Sequence, residues 1–466
     1  MKKGLSIELP IHSTAFKGKG VGRYQERAVF VKGAIPGDVV KARIIKKKKN
    51  FLEAKLLEII KASKDRVPPK CQHAGVCGGC SWQQLPYEKQ LEYKRQQVED
   101  HVRRIGKCDT PVNDTLPCEQ PFYYRNKMEY SFSPRRWLND EEIQRGEFVD
   151  DRGFAAGLHA PGRFDKILNL NECHLQDPIS FELLDFVRNY ALKHKIDAFD
   201  TFEKTGFFRH LVIRKAYHTN DLMINLVCYF DDQDIIKDLY AKMMKRFPSI
   251  TTFIVSINDQ PNPTATGRYQ HVLHGPGHIE DHIGPYHFTI DPKAFFQTNT
   301  AQAEALYSVV AKFANIKNAD VVYDLYCGVG TLTLFLSKYA SKIVGIELVD
   351  EAIKNARINA SKNGVKHAYF VKGDIRDTFN DSLIKKFGHP NILITDPPRA
   401  GMHPDVITQL LELKVPNIIY VSCDSSTLAR DLSLLSERYS VDGIQPVDMF
   451  PQTYHIETVV NLTLKH

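Results

Sequence analysis

The feature that most constrains this 466-residue chain lies in its last third. From Asp291 onward, short continuous apolar runs at 321–325, 342–346, 368–371, 392–395 and 418–422 alternate with stretches of helical texture near 331–339, 350–363, 405–413 and 425–438. A strand that is apolar along its whole length must be buried on both faces, as strands are in a parallel sheet covered by helices. The alternation therefore predicts a doubly wound α/β domain. Two further runs, near 439–446 and 457–464, have only a loop between them, which predicts an antiparallel hairpin at the sheet edge.

In an open α/β sheet, ligands bind beyond the carboxyl ends of the strands. The first such end reads Asp324-Leu325-Tyr326-Cys327-Gly328-Val329-Gly330-Thr331. Its glycines let backbone approach a ligand and expose the amides of a helix N-terminus. The second strand ends at Glu347, within reach of ribose hydroxyls, and the third is followed by Asp374, placed to face an adenine. A dinucleotide fingerprint would carry a third glycine where Thr333 stands, which argues against a pyrophosphate ligand. The fourth and fifth ends read Asp396-Pro397-Pro398-Arg399-Ala400-Gly401 and Ser422-Cys423-Asp424, so Asp396 and Cys423 should face the cofactor. A lone cysteine is usually a small buried hydrophobe. One placed on the ligand edge, just before a helix N-terminus that stabilises a thiolate, is a candidate nucleophile.

The rest of the chain has a different texture. Residues 1–62 read as short strands at 5–9, 27–31, 38–45 and 51–60, separated by glycine turns that include Lys17-Gly18-Lys19-Gly20-Val21-Gly22. Such spacing predicts a small β-barrel of the oligonucleotide-binding type. Residues 1–70 hold 18 Lys/Arg against 6 Asp/Glu, although the whole chain carries only +7. A basic module on an acidic body suits a polyanionic partner, and Lys46–Lys49 would crown a hairpin tip. After Val67-Pro68-Pro69 comes a cysteine-rich turn, then a polar helical stretch over 85–106, then mainly strands from 122 to 290, with helices near 178–194 and 232–246. Tyr123-Tyr124-Arg125-Asn126-Lys127 and Gly206-Phe207-Phe208-Arg209-His210 mix rings and cations, as RNA-binding strands and ordinary half-buried strands both do.

Nine cysteines, an odd number in a chain of this size, argue against a disulfide framework. Cys71, Cys77 and Cys80 instead have the spacing of metal ligands, with Gly75, Gly78 and Gly79 between them, and Cys173 is the best fourth ligand. Spacing alone leaves zinc and an iron–sulfur cluster both open. No run of about 18 apolar residues suggests a membrane span, and the basic start lacks the apolar stretch of a signal peptide. A cytoplasmic monomer is the expectation.

These motifs together resemble the RNA 5-methyluridine methyltransferases. The acid and Gly-x-Gly of the first strand end look like the first motif of Rossmann-like methyltransferases. Phe295-Phe296-Gln297-Thr298-Asn299, Asp396 through Gly401, Ser422-Cys423-Asp424 and Phe450-Pro451-Gln452-Thr453 through Glu457 look like that family's own motifs. The resemblance implies S-adenosylmethionine contacts at Gln297, Tyr326, Thr331, Glu347, Asp374 and Asp396, a nucleophile at Cys423 and a base at Glu457. The family often has Asn where this chain has Thr331. The resemblance also implies a TRAM barrel over 1–62, a central iron–sulfur and RNA-binding domain over 63–290, and the methyltransferase domain over 291–466. In its ribosomal branch the cysteines matching Cys71, Cys77, Cys80 and Cys173 hold a 4Fe–4S cluster, which points to 23S ribosomal RNA as the partner.

The chemistery implied has a physical reason. Carbon 5 of uracil is a weak nucleophile, and a thiolate added to carbon 6 turns the ring into an enolate that can attack a sulfonium methyl. A base must then remove the carbon 5 proton, a role for Glu457 with His455 nearby. The competing expectations are the same reaction on tRNA and a non-catalytic iron–sulfur RNA-binding protein. Such a binding protein would have no use for Cys423, Asp396 and Glu457 together.

Overall fold

Five strands close into a barrel near the N-terminus of the computed structural model, which describes residues 3–138, 140–146, 154–163, 165–260, 264–265 and 267–465. They are β1 (Ser6–Ala15), β2 (Lys19–Tyr24), β3 (Arg27–Lys32), β4 (Val39–Lys47) and β5 (Phe51–Lys61), in the order β1-β2-β3-β5-β4. Alternation along β1 and β4 puts Ile7, Leu9, Val40 and Ala42 inside. The sequence predicts a glycine turn over 17–22, whereas Lys19–Tyr24 forms strand β2. A Cβ on Gly20 would lie 2.7 Å from the Ala34 carbonyl oxygen, and one on Gly22 would lie 2.5 Å from that of Pro10. These glycines serve close strand approach rather than a turn. Helix α1 (Tyr87–Arg104) follows.

The chain divides into two units. One comprises Met1–Pro69, Cys80–Pro121 and Gln302–His466, and the other comprises Lys70–Gly79 and Phe122–Ala301. The second unit holds β6 (Lys127–Ser133), α2 (Asp140–Arg145), β7 (Ala155–His159), β8 (Ile167–Asn169), α3 (Ile179–His194), β9 (Phe208–Lys215), β10 (Leu222–Cys228), α4 (Gln233–Arg246), β11 (Thr252–Ile257) and β12 (Tyr269–His274). Its sheet runs β12-β11-β10-β9-β6-β7-β8, and the apolar faces of α3 and α4 share one core with Tyr130, Phe208, Ile224 and Phe253. A hairpin of β13 (Ile279–Ile283) and β14 (Tyr286–Ile290) completes it.

The remaining elements are α5 (Thr300–Ala314), β15 (Val321–Leu325), α6 (Thr331–Ser337), β16 (Lys342–Glu347), α7 (Asp350–Lys362), β17 (Ala368–Lys372), α8 (Ile375–Thr378), α9 (Asp381–Phe387), β18 (Ile392–Thr395), α10 (Pro404–Leu413), β19 (Asn417–Ser422), α11 (Ser425–Leu435), β20 (Tyr439–Val447) and β21 (Glu457–Leu464). The strand order β17-β16-β15-β18-β19-β21-β20 is parallel through β19, and β21 and β20 add the antiparallel edge. This is a Rossmann-like sheet with its order reversing between β15 and β18, the place where such folds form a ligand crevice. Among the described residues no helix is long and apolar enough to cross a membrane.

Candidate active site

Parallel register brings the carboxyl ends of the strands level. Leu325 pairs with Thr395, Thr395 with Tyr420, and Glu347 with Lys372. The first end then curls sharply, with Tyr326, Gly328 and Gly330 at φ 66°, 55° and 81°. A Cβ on Gly330 would meet the Phe370 ring at 2.9 Å, so this glycine cannot be replaced without moving the crevice wall. The curl delivers the Gly328 amide to the Glu347 carboxylate at 3.1 Å, while the other oxygen of Glu347 accepts from the Val349 amide at 2.9 Å. Thr331 opens α6 with its hydroxyl 2.8 Å from that of Tyr307.

The acids of this edge are not alike. Asp374 caps α8 and is gripped by Arg376 at 2.6 Å, which pulls its carboxyl down to about 2. Asp324 is 1% exposed, accepts the Thr333 hydroxyl, and is pushed up by burial to about 7. Thr333, where a dinucleotide fold would need glycine, thus holds the buried acid of the first strand. Burial also pushes Asp396, just past β18, up to about 7.

The nucleophile candidate and the base candidate are brought together by antiparallel register. Ser422, the last residue of β19, pairs with Thr458, and Val447 of β20 pairs with Glu457. Glu457, one step before Thr458, therefore flanks Cys423, one step after Ser422. Burial drives the Cys423 thiol up to about 12, with the charges of Glu457 and Asp396 adding to it and Arg399 opposing. Glu457 is 7% exposed, and burial raises its carboxyl well above the ordinary range, with Asp396 adding and Arg399 again opposing. Arg399 lies inside the Asp396–Gly401 motif, where the sequence alone gives it no role. His455 lies against Tyr454 with ring centroids 4.2 Å apart.

Helix α1 braces both sides of this pair. His101 Nδ1 lies 2.8 Å from the Ser425 hydroxyl at the start of α11, whose first turn is capped by Asp424. Gln90 and Gln452 make reciprocal bonds: Gln90 Nε2 donates to Gln452 Oε1 at 3.0 Å, and the Gln452 amide donates to Gln90 Oε1 at 2.9 Å. Lys94 Nζ meets Asp448 Oδ1 at 2.6 Å with both side chains fully buried. No local sequence signal ties His101, Gln90 or Lys94 to Ser425, Gln452 or Asp448, which lie more than 300 residues away.

In the second unit, Gln297 lies on the loop before α5, and its carbonyl accepts from Asn126 Nδ2 at 2.8 Å. Arg214 Nη2 donates to the Ala294 carbonyl of the same loop at 3.1 Å. The cysteine loop is zipped to the segment that carries Cys173. The Gln72 amide donates to Glu172 at 2.6 Å, and the Asn171 amide donates to His73 Nε2 at 3.0 Å. Backbone N–H groups point at the sulfurs: His73 to Cys71 at 3.4 Å, Gly79 to Cys77 at 3.3 Å, and those of Leu175 and Gln176 to Cys173. Burial raises the Cys71 thiol to about 11, with the charges of Glu172, Cys77 and Cys173 adding. Cys80 belongs to the first unit, where its sulfur accepts from Gln83 Nε2 at 3.2 Å. Cysteine sulfurs that accept N–H bonds, once ionised, are a donor set that soft metals take.

Comparison with known proteins shows what the chain is similar to. A family model described as tRNA (uracil-5-)-methyltransferase matches residues 277–465, and a TRAM-domain model matches residues 3–57. Proteins called uncharacterized RNA methyltransferases are similar over almost their whole length. One from Bacteroides thetaiotaomicron is 41% identical, covering 97% of this chain and 100% of its own. Another from Porphyromonas gingivalis is 40% identical, covering 97% and 99%. The solved tRNA (uracil-54, C5)-methyltransferase of Pyrococcus abyssi, in complex with S-adenosyl-L-homocysteine, is 25% identical with a TM-score of 0.76, covering 98% of this chain and 100% of that one.

Proposed function

We propose that this chain, which belongs to the RNA uracil-5-methyltransferase family, methylates carbon 5 of a specific uridine in 23S ribosomal RNA through a bond between Cys423 and carbon 6 of that uracil. Membership makes it an RNA methyltransferase that uses S-adenosylmethionine and carries a TRAM domain. The observation that supports the covalent step is the β19–β21 register, which sets Glu457 beside Cys423 with Asp396 and Arg399 near enough to act on both.

S-adenosylmethionine supplies an electrophilic methyl group, held by Gln297, Tyr326, Thr331, Glu347, Asp374 and Asp396. Arg399 and the start of α11 favour the Cys423 thiolate against the pull of burial. The thiolate adds to carbon 6, and the ring electrons move onto the carbon 4 oxygen. Carbon 5 would then take the methyl as its bond to the sulfonium breaks, the electron pair staying on sulfur and S-adenosylhomocysteine leaving. Glu457 takes the carbon 5 proton once its carboxyl is ionised, and burial, which raises its affinity for protons, then favours keeping it. Removal of that proton re-forms the ring double bond, breaks the carbon 6–sulfur bond and returns the thiolate to Cys423. The uridine must leave its stack to reach this depth.

The barrel over 1–62 is read as an RNA-docking module, and the region over 63–290 as the holder of a 4Fe–4S cluster on Cys71, Cys77, Cys80 and Cys173. The N–H bonds to each of these sulfurs support that ligand set. Barrel and cysteines together favour ribosomal RNA. A second reading, the same reaction on tRNA, is favoured by the likeness to the Pyrococcus abyssi tRNA enzyme. Tritiated methyl transfer to unmodified 23S RNA and tRNA, side by side, decides between them. Glu457→Gln tests the chemistry, since a methylated ring that keeps its carbon 5 proton cannot leave Cys423. A protein–RNA adduct should persist through denaturing electrophoresis, and normal turnover without adduct would transfer the base role to His455.

A further inference from the structure

Helices α3 and α4 cover one face of the second unit's sheet and leave a groove of 670 Å³ between them. Its floor is aromatic: Phe181, Phe186, Tyr190 and Phe247. Phe186 meets Phe247 edge to face at 5.5 Å, and His194, exposed, lies over Tyr190 at 4.4 Å with a 32° tilt. The rim is cationic, with Lys193, Lys242, Lys245 and Arg246 against Glu182 and Asp185. Asp185 is engaged by Arg188 and Asn189, and Lys242 by Asp238 at 2.6 Å. Lys193, Lys245 and Arg246 are exposed and form no ion pair among the described residues.

Cations in the last turn of a helix commonly answer its dipole, and each of these helices ends on them. The dipole does not require both basic ends to border one groove, nor partly exposed rings beneath them. Arg246 lies over the Phe247 ring at 5.4 Å, which leaves its outward face to solvent. Half-buried rings flanked by cations that lack carboxylate partners are what single-stranded nucleic acid needs, with bases on the rings and phosphates on the cations. An acidic protein segment would satisfy the cations but would leave the ring faces without their best partner.

We propose that the α3–α4 groove is an accessory RNA site, which takes a single-stranded stretch of the substrate other than the uridine being modified. The half-buried Phe181 and Phe186 and the exposed face of His194 carry bases, while Lys193, Lys245 and Arg246 hold phosphates. The site rests on the reading that RNA is the substrate. It adds affinity and orientation without touching the reacting atoms.

The full chain with Lys193→Glu, Lys245→Glu and Arg246→Glu tests it, because these surface changes leave the core intact. The probe is a fluorescein-labelled single-stranded 20-mer containing 5-iodouridine. Affinity should fall roughly 10-fold, and the slope of log affinity against log salt should fall by about 2, for three lost phosphate contacts at about 0.7 each. Photocrosslinks in wild type should map to Phe181, Phe186 or His194. Unchanged affinity and slope, or crosslinks that map only elsewhere, overturn the site and leave the groove to a protein partner. Transfer to a minimal hairpin should stay within about 2-fold of wild type, since a short hairpin relies on the catalytic end. If wild type methylates no RNA at all, it is the enzymatic reading that fails, and the two failures are told apart.

Discussion

Cys423 ends a parallel sheet with two carboxylates for neighbours, whereas Cys71 and Cys77 sit in a glycine-rich loop whose backbone N–H groups point at their sulfurs. Burial raises both kinds of thiol, to about 12 at Cys423 and about 11 at Cys71. The surroundings then diverge. Carboxylates push both further toward the neutral form, Glu457 and Asp396 at Cys423 and Glu172 at Cys71, but what opposes them differs: the Arg399 charge at Cys423, a backbone hydrogen bond from His73 at Cys71. A sulfur that accepts a backbone N–H is prepared to stay anionic under a cation. One opposed only by a guanidinium becomes anionic only while that positive charge is close by. The same side chain is a resident ligand in one place and a transient nucleophile in the other.

The largest expected effect tests the nucleophile. Cys423→Ala should cut single-turnover methyl transfer by at least about 10,000-fold while cofactor binding, measured by calorimetry, stays nearly intact. Transfer at a wild-type rate would put Cys423 in the same inert class as any buried thiol. Next comes the loop. Anaerobically purified protein should be brown, and Cys71→Ser should lose the iron and lower the melting midpoint by about 5 °C or more, because metal binding is coupled to folding. Zinc without iron in the metal analysis would keep the ligands and remove the cluster.

A third test uses the acids themselves. Burial lifts Asp396 from the ordinary 3.8 to about 7, so the folded chain keeps a proton that the unfolded chain has released. Stability should therefore fall as pH rises from about 4 to 7 and stay lower above that. Asp396→Asn should be inactive, yet more stable than wild type at pH 8 by about 1–3 kcal/mol, with the gain fading below about pH 4. Thermal melts at the two pH values check the sign. The smallest effect belongs to His101. Its bond to Ser425 is worth about 1 kcal/mol, so His101→Ala should slow transfer roughly 5-fold with KM little changed. His101→Asn, which keeps a polar atom near the place of Nδ1, should recover most of the loss.

Much of the catalytic sheet was legible because its physics is local. A buried parallel strand must be apolar throughout, so β15 to β19 announce themselves, and the residues that follow them fall on one edge by topology alone. Asp324 also carried a signal, an acid inside an apolar run, although its bond to Thr333 did not. What the sequence hid depends on distant partners. Gly20 and Gly22 look like turn residues until Ala34 and Pro10 are seen against them. α1 looks like a polar surface helix, yet Gln90 and Lys94 are fully buried. The α3–α4 groove was invisible for a related reason: its rings and cations belong to two helices that each read as ordinary.

The buried pair of Lys94 and Asp448 also sets a clock. The two residues are 354 positions apart, and a ribosome adding about 5–20 residues per second needs roughly 20–70 s to pass from one to the other. Until then the lysine of α1 has no counter-charge, and a lone ammonium cannot be buried. The barrel can close at once, and the span from Phe122 to Ala301 can collapse as soon as it emerges. The catalytic end cannot form until the antiparallel edge strands have been made, so a nascent chain stalled before Asp448 should leave α1 open to protease.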